Sequence, residues 1–599
     1  MKELEFPFDS RYIMRHRRGI KKQLLADGSE RIKVRIAVLG GSTTNDIVSA
    51  MELFLLDSGI EPAFWQSEYN RFYEDAVFGN ESLESFHPDV IYIHTTSCNL
   101  KYIPDDPNET EDDIKQRLEM QTSILKQVWT SLAKNFGVPI IQNNFELPLY
   151  RHTGSYDRWG ITGRSAFIDR MNLAVSEYAR NCHGFYVNDI NYLSAAVGLE
   201  KWHDPDSWFL YKYAMNIDAI PDLAYSTVCI IRSLYGKNKK AVALDLDNTL
   251  WGGVIGDDGQ EGIEIGEETA EGESYSMLQN WLRTYKKYGI LLTVCSKNDA
   301  ENALLGLEHP SGILRPDDFA SIKANWQPKS ENIEASAAEL GLLPESFIFV
   351  DDNPAECDIV SSQLPSVRTI EASSVKDTLY RLSRSSWFEV TDLSGDDLVR
   401  NEMYAANAKR QAMQKQFTNY TDYLLSLDMH AEIADFTPVF LPRITQLTNK
   451  SNQFNLTTRR YTSKEMEDIS RSSDRIRLCG SLTDKFGDNG IVSVIIGRCE
   501  KETLHVELWL MSCRVLKRDM EYAMLDELVH QCIRRGISRI MGYYYKTEKN
   551  SMVAELYGDL GFTLLNKSEN GSSVWNLDLD TYENKNKVIK VNEKEKIYE

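Results

Sequence analysis

The 599-residue chain lacks any apolar run approaching the roughly 18–20 residues that a membrane-spanning helix needs. It lacks a basic excess as well: 67 Lys and Arg stand against 89 Asp and Glu, a formal net charge of −22. Proteins whose main task is to grip a phosphate backbone present a basic face, so nucleic-acid binding is excluded as the principal function. Nine cysteines without a single C-x-x-C pair build no disulfide frame and fit reduced thiols. The start, MKELEFPFDS, has no apolar stretch behind its charges and does not read as a secretory leader. There is no internal repeat and no low-complexity segment. These absences point to a cytoplasmic, acidic protein without a membrane span. What is present, 42% hydrophobic residues over this length, suffices for about three to five globular domains.

The first 237 residues alternate strand and helix patterns. VRIAVLGG (34–41), DVIYIHTT (89–96) and VPIIQNN (138–144) are strand-like, and 111–136 carries apolar residues at helical spacing before Gly137 stops it. Such alternation predicts a parallel sheet with helices on its faces. After the Lys-rich GKNKK, a second α/β block spans 238–385, with strands KAVALDLD (240–247), ILLTVCS (290–296) and SFIFVDD (346–352) and helices over 273–288 and 330–340. All three strands end in polar residues, which places the chemistry at the carboxyl edge of the sheet. A helical connector is expected over 386–430. A third block, 431–582, contains strands 491–497 and 503–512 followed by a helix over 519–534. The Lys/Glu/Asn-rich remainder, 583–599, reads as a disordered tail.

The strongest motif is DLDNTLWGG, where an apolar strand delivers Asp245 and Asp247 to the same face. Paired carboxylates at a strand end can share a divalent cation and still divide nucleophilic and acid/base work. Ser296, Lys329 and the pair Asp351-Asp352 follow, each after a strand or at the start of a helix. Phosphoryl transfer needs such a set: a metal and a Lys to neutralise charge, a hydroxyl donor, and an attacking carboxylate. In this order the four elements resemble the haloacid dehalogenase (HAD) phosphohydrolases. That resemblance implies a Rossmann-like domain in which Asp245 is the nucleophile and Asp247 the general acid/base, its carbonyl also facing Mg²⁺. Ser296 and Lys329 would hold the phosphoryl group, and Asp351 with Asp352 would complete the metal site formed with Asp245 and the Asp247 carbonyl. Only 48 residues separate Asp247 from Ser296 and 32 separate Ser296 from Lys329, so no large cap domain fits.

The wording around these motifs is narrower. DLDNTLWGGVIGDDG, LLTVCSKND, TNKSNQFNLTTRRYT (448–462) and WLMSCRVLKRD (509–519) resemble the FkbH-like family over about 240–570. Members of that family are known for taking a glyceryl unit from 1,3-bisphosphoglycerate, removing phosphate, and loading the unit as a thioester on an acyl carrier protein. The resemblance therefore implies Mg²⁺, a small phosphorylated substrate, and a carrier protein whose phosphopantetheine arm is a co-substrate. In KNSMVAELYGDLGF, Asn550, Tyr557 and their neighbours resemble the end of a GNAT acyltransferase, an α+β fold that threads such an arm beside the strand ending at Cys513. The phosphate loop of that fold corresponds here to Arg514-Val515-Leu516-Lys517-Arg518-Asp519, from which both glycines are missing. Cys513 is the first candidate for a covalent acyl carrier and Cys295, beside Ser296, the second; the bland alternative for each is a buried strand thiol. Asn298 and the amide- and guanidinium-rich Asn452, Asn455, Arg459 and Arg460, together with Arg514, are candidate substrate ligands, or else a loop that satisfies its own backbone.

Gly40-Gly41-Ser42 directly after a strand resembles the first motif of the SGNH hydrolases, with Ser42 as a nucleophile. The matching acid–base pair is at best Glu200 and His203, and a Gly-Gly-Ser turn is more often a helix cap. The functional readings are thus a glyceryl-loading enzyme, a phosphatase or acyltransferase of polysaccharide or secondary-metabolite synthesis, and a scaffold that keeps only Mg²⁺ and phosphate recognition.

Overall fold

The computed structural model describes residues 1–591 except 394, 452 and 548; the side chains of 396, 397, 405, 408, 411, 412 and 513 fall outside it. The candidate Asn452, the thiol of Cys513 and residues 592–599 of the expected tail therefore lie outside the described residues. The chain divides into one compact unit of 1–237 with 462–464, and a second that begins at Asn238.

The first unit is built on five parallel strands, β1 (Ile32–Gly40), β2 (Ile60–Gln66), β3 (Val90–His94), β4 (Ile140–Asn143) and β5 (Phe185–Asn188), in the order β2-β1-β3-β4-β5. β3 is buried along its whole length because helices cover both faces, which is why it reads as an unbroken apolar run. The long helix Glu111–Phe136 starts on a capping box between Thr110 and Asp113 and stops at Gly137, whose φ of 64° suits a residue without a side chain.

The second unit contains two sheets. The first holds β6 (Ala241–Leu244), β7 (Leu291–Ser296), β8 (Ser321–Ala324), β9 (Phe347–Asp351) and β10 (Arg368–Glu371), all parallel, in the order β10-β9-β6-β7-β8. Only the helices Ile255–Gly262 and Ala270–Lys287 separate β6 from β7, so no cap domain is inserted there. The chain reverses direction across the sheet between β6 and β9, and the crevice at such a switch point is where open α/β sheets place their ligands.

The second sheet is mixed: β11 (His430–Ala434), β12 (Arg475–Asp484), β13 (Gly487–Glu500), β14 (Thr503–Met511), β15 (Arg539–Tyr544), β16 (Thr563–Lys567), β17 (Ser573–Asp578) and β18 (Lys590–Val591), in the order β16-β17-β15-β14-β13-β12-β11-β18. β14 and β15 run parallel, joined by the helix Met520–Arg534, whose buried face packs on the sheet through Ala523, Met524, Leu528 and Val529. Between the two sheets lie the helices Gly395–Leu398, Arg400–Gln414 and Tyr420–Ser426.

Residues 583–591 depart from the expected disordered tail. Asp526 accepts bonds from the backbone N–H groups of Lys585 and Asn586 and from the Tyr582 hydroxyl, and Val588 and Ile589 are buried. β18 then pairs with β11. A polar local composition was outweighed by one buried carboxylate that needed donors.

Candidate functional site

Three neighbouring strands of the parallel sheet deliver the phosphoryl-transfer set to one edge. Asp245 follows β6 and is tied down by its own N–H, which donates to the Val350 carbonyl. Asp351 ends β9, and Ser296 ends β7. Lys329 opens the helix Lys329–Leu340 and turns inward, 3% exposed. Its ammonium donates to Asp351 and lies 3.1 Å from Asp245 Oδ1. That second contact lacks hydrogen-bond geometry, so the buried Oδ1 of Asp245 is left without a hydrogen-bond partner.

Asp245, Asp351 and Asp352 each offer an oxygen within 4.8 Å of the others, the group among the described residues whose geometry can hold a metal ion. Three carboxylates around one ammonium leave excess negative charge in a buried place. Burial raises the pKa of Asp351 to about 6, with the Asp245 charge adding to the effect and Lys329 opposing it. Asp352 is raised for the same two reasons. Lys329 is itself raised: burial favours loss of its proton, but the two carboxylates more than offset that. Three clustered carboxylates whose charge one ammonium only partly offsets are a donor set that suits a divalent cation.

The carboxylate of Asp247 stands apart from this group. It is drawn away from the cluster by three donors: Trp251 Nε1 and the Ile255 N–H on Oδ1, and Asn298 Nδ2 on Oδ2, each at 3.0 Å. Burial still raises its pKa, against the pull of the Ile255 and Trp251 donors. A carboxyl group oriented by three donors and held above its usual range suits proton transfer better than ligation. The clamp was only partly readable. Asn298 was visible as a candidate, but as a substrate ligand; the signal for Trp251, an aromatic fully buried inside the acidic motif, was present and carried no assigned role.

The other candidates are placed differently. Cys295 is 1% exposed, its Sγ turned to the Lys329 carbonyl, and burial raises its thiol pKa, so it is a packed neutral thiol rather than a nucleophile. Arg459 lies over the Tyr461 ring and 3.6 Å from Glu507, and Arg460 donates to the Asn449 carbonyl. Asn455 accepts from the Thr458 N–H and donates to the Ser451 carbonyl. Asn550 is fully buried and clamps the carbonyls of Asn455 and Tyr545. Arg514 donates to Ser512 Oγ. Tyr557 is fully buried with an unpartnered hydroxyl, and burial raises its pKa. Ser42 is buried, its hydroxyl without a hydrogen-bond partner; Glu200 is exposed, and His203 Nε2 sits 2.9 Å from the Leu147 carbonyl. Among the described residues no acid–base pair is joined to Ser42.

Comparison with known proteins fits this arrangement. Residues 35–232 match the model of the FkbH N-terminal domain. A crystal structure of the N-terminal part of the protein BF1531 from Bacteroides fragilis, containing a phosphatase domain and complexed with Mg, superposes with a TM-score of 0.58 at 25% identity, covering 63% of this chain and 99% of that one. The ribosomal-protein-S18-alanine N-acetyltransferase of Escherichia coli (13% identity, 25% of this chain, 94% of that one) and a GNAT-family acetyltransferase of Streptococcus pneumoniae (16%, 25% and 99%) superpose at TM-scores of only 0.20 and 0.21. No curated protein matches the chain. No described helix is long and apolar enough to cross a membrane. Residues 35–232 are thus similar to an FkbH N-terminal domain, and 63% of the chain is similar to a protein that contains a phosphatase domain.

Proposed function

We propose that the protein removes phosphate from a phosphoglycerate-type donor, 1,3-bisphosphoglycerate, and transfers the glyceryl group to the phosphopantetheine thiol of an acyl carrier protein. The observation that carries the phosphoryl half is the buried arrangement of Asp245, Asp351 and Asp352 about Lys329, with Asp247 oriented separately. In this reading Asp245, the Asp247 carbonyl, Asp351 and Asp352 would hold Mg²⁺, which would offset charge on the phosphoryl oxygens when bound. Asp245 attacks the phosphorus of the C3 phosphate ester, and the bond from phosphorus to the C3 oxygen breaks as Asp247 gives that oxygen its proton. Lys329 and Ser296 hold the transferred group. Asp247, now deprotonated, takes a proton from water as the aspartyl phosphate hydrolyses. The C1 acyl phosphate stays intact through that step; the carrier thiol, losing its proton to water, attacks the C1 carbonyl, the C–S bond of the thioester forms, and the C1–oxygen bond breaks with inorganic phosphate as the leaving group.

Mass spectrometry of a carrier protein incubated with the enzyme, Mg²⁺ and 1,3-bisphosphoglycerate tests this reading: a glyceryl adduct supports it, and phosphate release with an unmodified carrier refutes the transfer half. That second outcome belongs to the other reading, a phosphatase of polysaccharide or secondary-metabolite synthesis. One observation favours it: Asn455, Asn550 and Arg460 of the C-terminal sheet are engaged with groups of the protein itself. The scaffold reading is disfavoured, because bare metal and phosphate recognition needs no separately clamped Asp247.

A further inference from the structure

β14 and β15 pair only where Thr503–His505 face Arg539–Met541, and the ladder between them stops there. Beyond that point the chain itself bridges them. Residues 454–457 lie between the two, tied to each by backbone hydrogen bonds. The Met511 N–H donates to the Phe454 carbonyl at 3.0 Å, the Leu456 N–H donates to the Trp509 carbonyl at 3.0 Å, and on the far side the Tyr545 N–H donates to the Leu456 carbonyl at 2.9 Å. Asn455 forms an antiparallel bridge with Leu510, and Thr457 Oγ1 donates to the Glu507 carbonyl. Asn550, fully buried, locks the insert by donating to the Asn455 carbonyl at 3.0 Å. Phe454 and Leu456 are 5% and 0% exposed, so the insert is part of the core.

An extended amide-bearing arm enters a sheet by pairing with free strand-edge groups. Here those of Trp509, Met511 and Tyr545 are already taken. The adjoining loop is no more available. Lys517 and Asp519, at φ of 62° and 60°, keep a left-handed backbone that glycine would adopt freely, and each carries a side chain there. Arg518 is spent on Asp484, Asn407, Asn489 and the Arg514 carbonyl, and Arg410 holds the same Asp484 through two nitrogens.

We propose that the gap between β14 and β15 is permanently closed by residues 454–457, so that the C-terminal sheet receives no acyl-thioester arm there. A carrier thiol then meets its acyl group elsewhere on the protein; only this corollary rests on the function proposed above.

Coenzyme A, which bears the same arm, is the probe, used with the full chain. Calorimetric titration with millimolar coenzyme A is expected to give no saturable binding, and hydrogen exchange at the Leu456, Met511 and Tyr545 amides is expected to be unchanged by it. Asn550→Ala, which removes one clamp, is expected to speed exchange at Leu456 and Tyr545 by up to about tenfold. Saturable binding accompanied by lost protection over 454–457 would overturn the proposal and make the insert a gate. Exchange unchanged in Asn550→Ala would overturn the clamp. These readouts need no turnover, so they stand even if no carrier is ever loaded.

Discussion

Replacing Asp351 with Asn probes the electrostatic reading of the site most sharply. The side chain is fully buried, and its pKa is raised from 3.8 to about 6, by burial and then by Asp245. The folded-state value lies above the unfolded one, so the folded protein binds more protons across that window and loses stability as pH rises through it. A shift of about two units corresponds to about 3 kcal/mol at neutral pH. Asp351→Asn preserves the shape and removes the charge. With EDTA present, the variant should be more stable than the parent by up to about 3 kcal/mol near pH 7.5, an advantage that disappears near pH 4. Mg²⁺ should largely cancel that advantage, since a ligand at a hundredfold excess over its Kd stabilises the parent by about 2.7 kcal/mol and the weakened site by less. Urea unfolding followed by circular dichroism, at several pH values with and without Mg²⁺, reads both effects. A parent indifferent to Mg²⁺ at pH 7.5, or a variant destabilised equally at every pH, would refute the reasoning: the carboxylates would then be an ordinary ion-pair network satisfied by Lys329.

Three other substitutions follow from the same geometry. Asn298→Ala removes a donor from Asp247, so phosphate release should fall about tenfold and the basic limb of its pH profile should move upward, as loss of a bond to the charged form raises a carboxyl pKa. Ser42→Ala should leave phosphate release and carrier loading within a few-fold of the parent, as no acid–base pair reaches that hydroxyl; a large loss in a steady-state assay would show that the first unit takes part. Cys513→Ser should likewise leave loading within a few-fold if the gap beside it is closed, whereas a glyceryl adduct mapped to Cys513 when the carrier is omitted would restore a thiol relay.

The phosphatase-like edge was legible because its chemistry sits at strand ends. An apolar run that terminates in Asp245, Ser296 or Asp351 announces both the strand and the edge, and the switch-point rule places the three together. What a side chain does within that edge was less legible. Asp245 and Asp247 are two residues apart and chemically alike, yet one faces the cluster and the other is drawn off by Trp251 and a backbone N–H eight residues on. The third block was hardest. The stretch 454–457, Phe-Asn-Leu-Thr, lies in a run rich in Asn, Thr and Arg that reads as a polar loop; only partners more than fifty residues away show that it is held between two strands. β12 escaped for a related reason: RIRLCGSLTD mixes charges and a glycine with its alternating apolar residues, and its register shifts beside Gly480 and again beyond Ser481. The pinned residues 583–591 depend on Asp526, a long-range partner that local composition does not reveal.

Phosphate release by Asp245→Asn is the most direct test of the central claim. The variant keeps the shape of the site and removes the attacking charge. With Mg²⁺ and 1,3-bisphosphoglycerate, release measured over the first turnovers should fall by at least about a thousandfold, and acid-quenched parent enzyme, unlike the variant, should carry phosphate on the peptide containing Asp245. Near-normal release by the variant, or a parent that never acquires the label, would contradict the account.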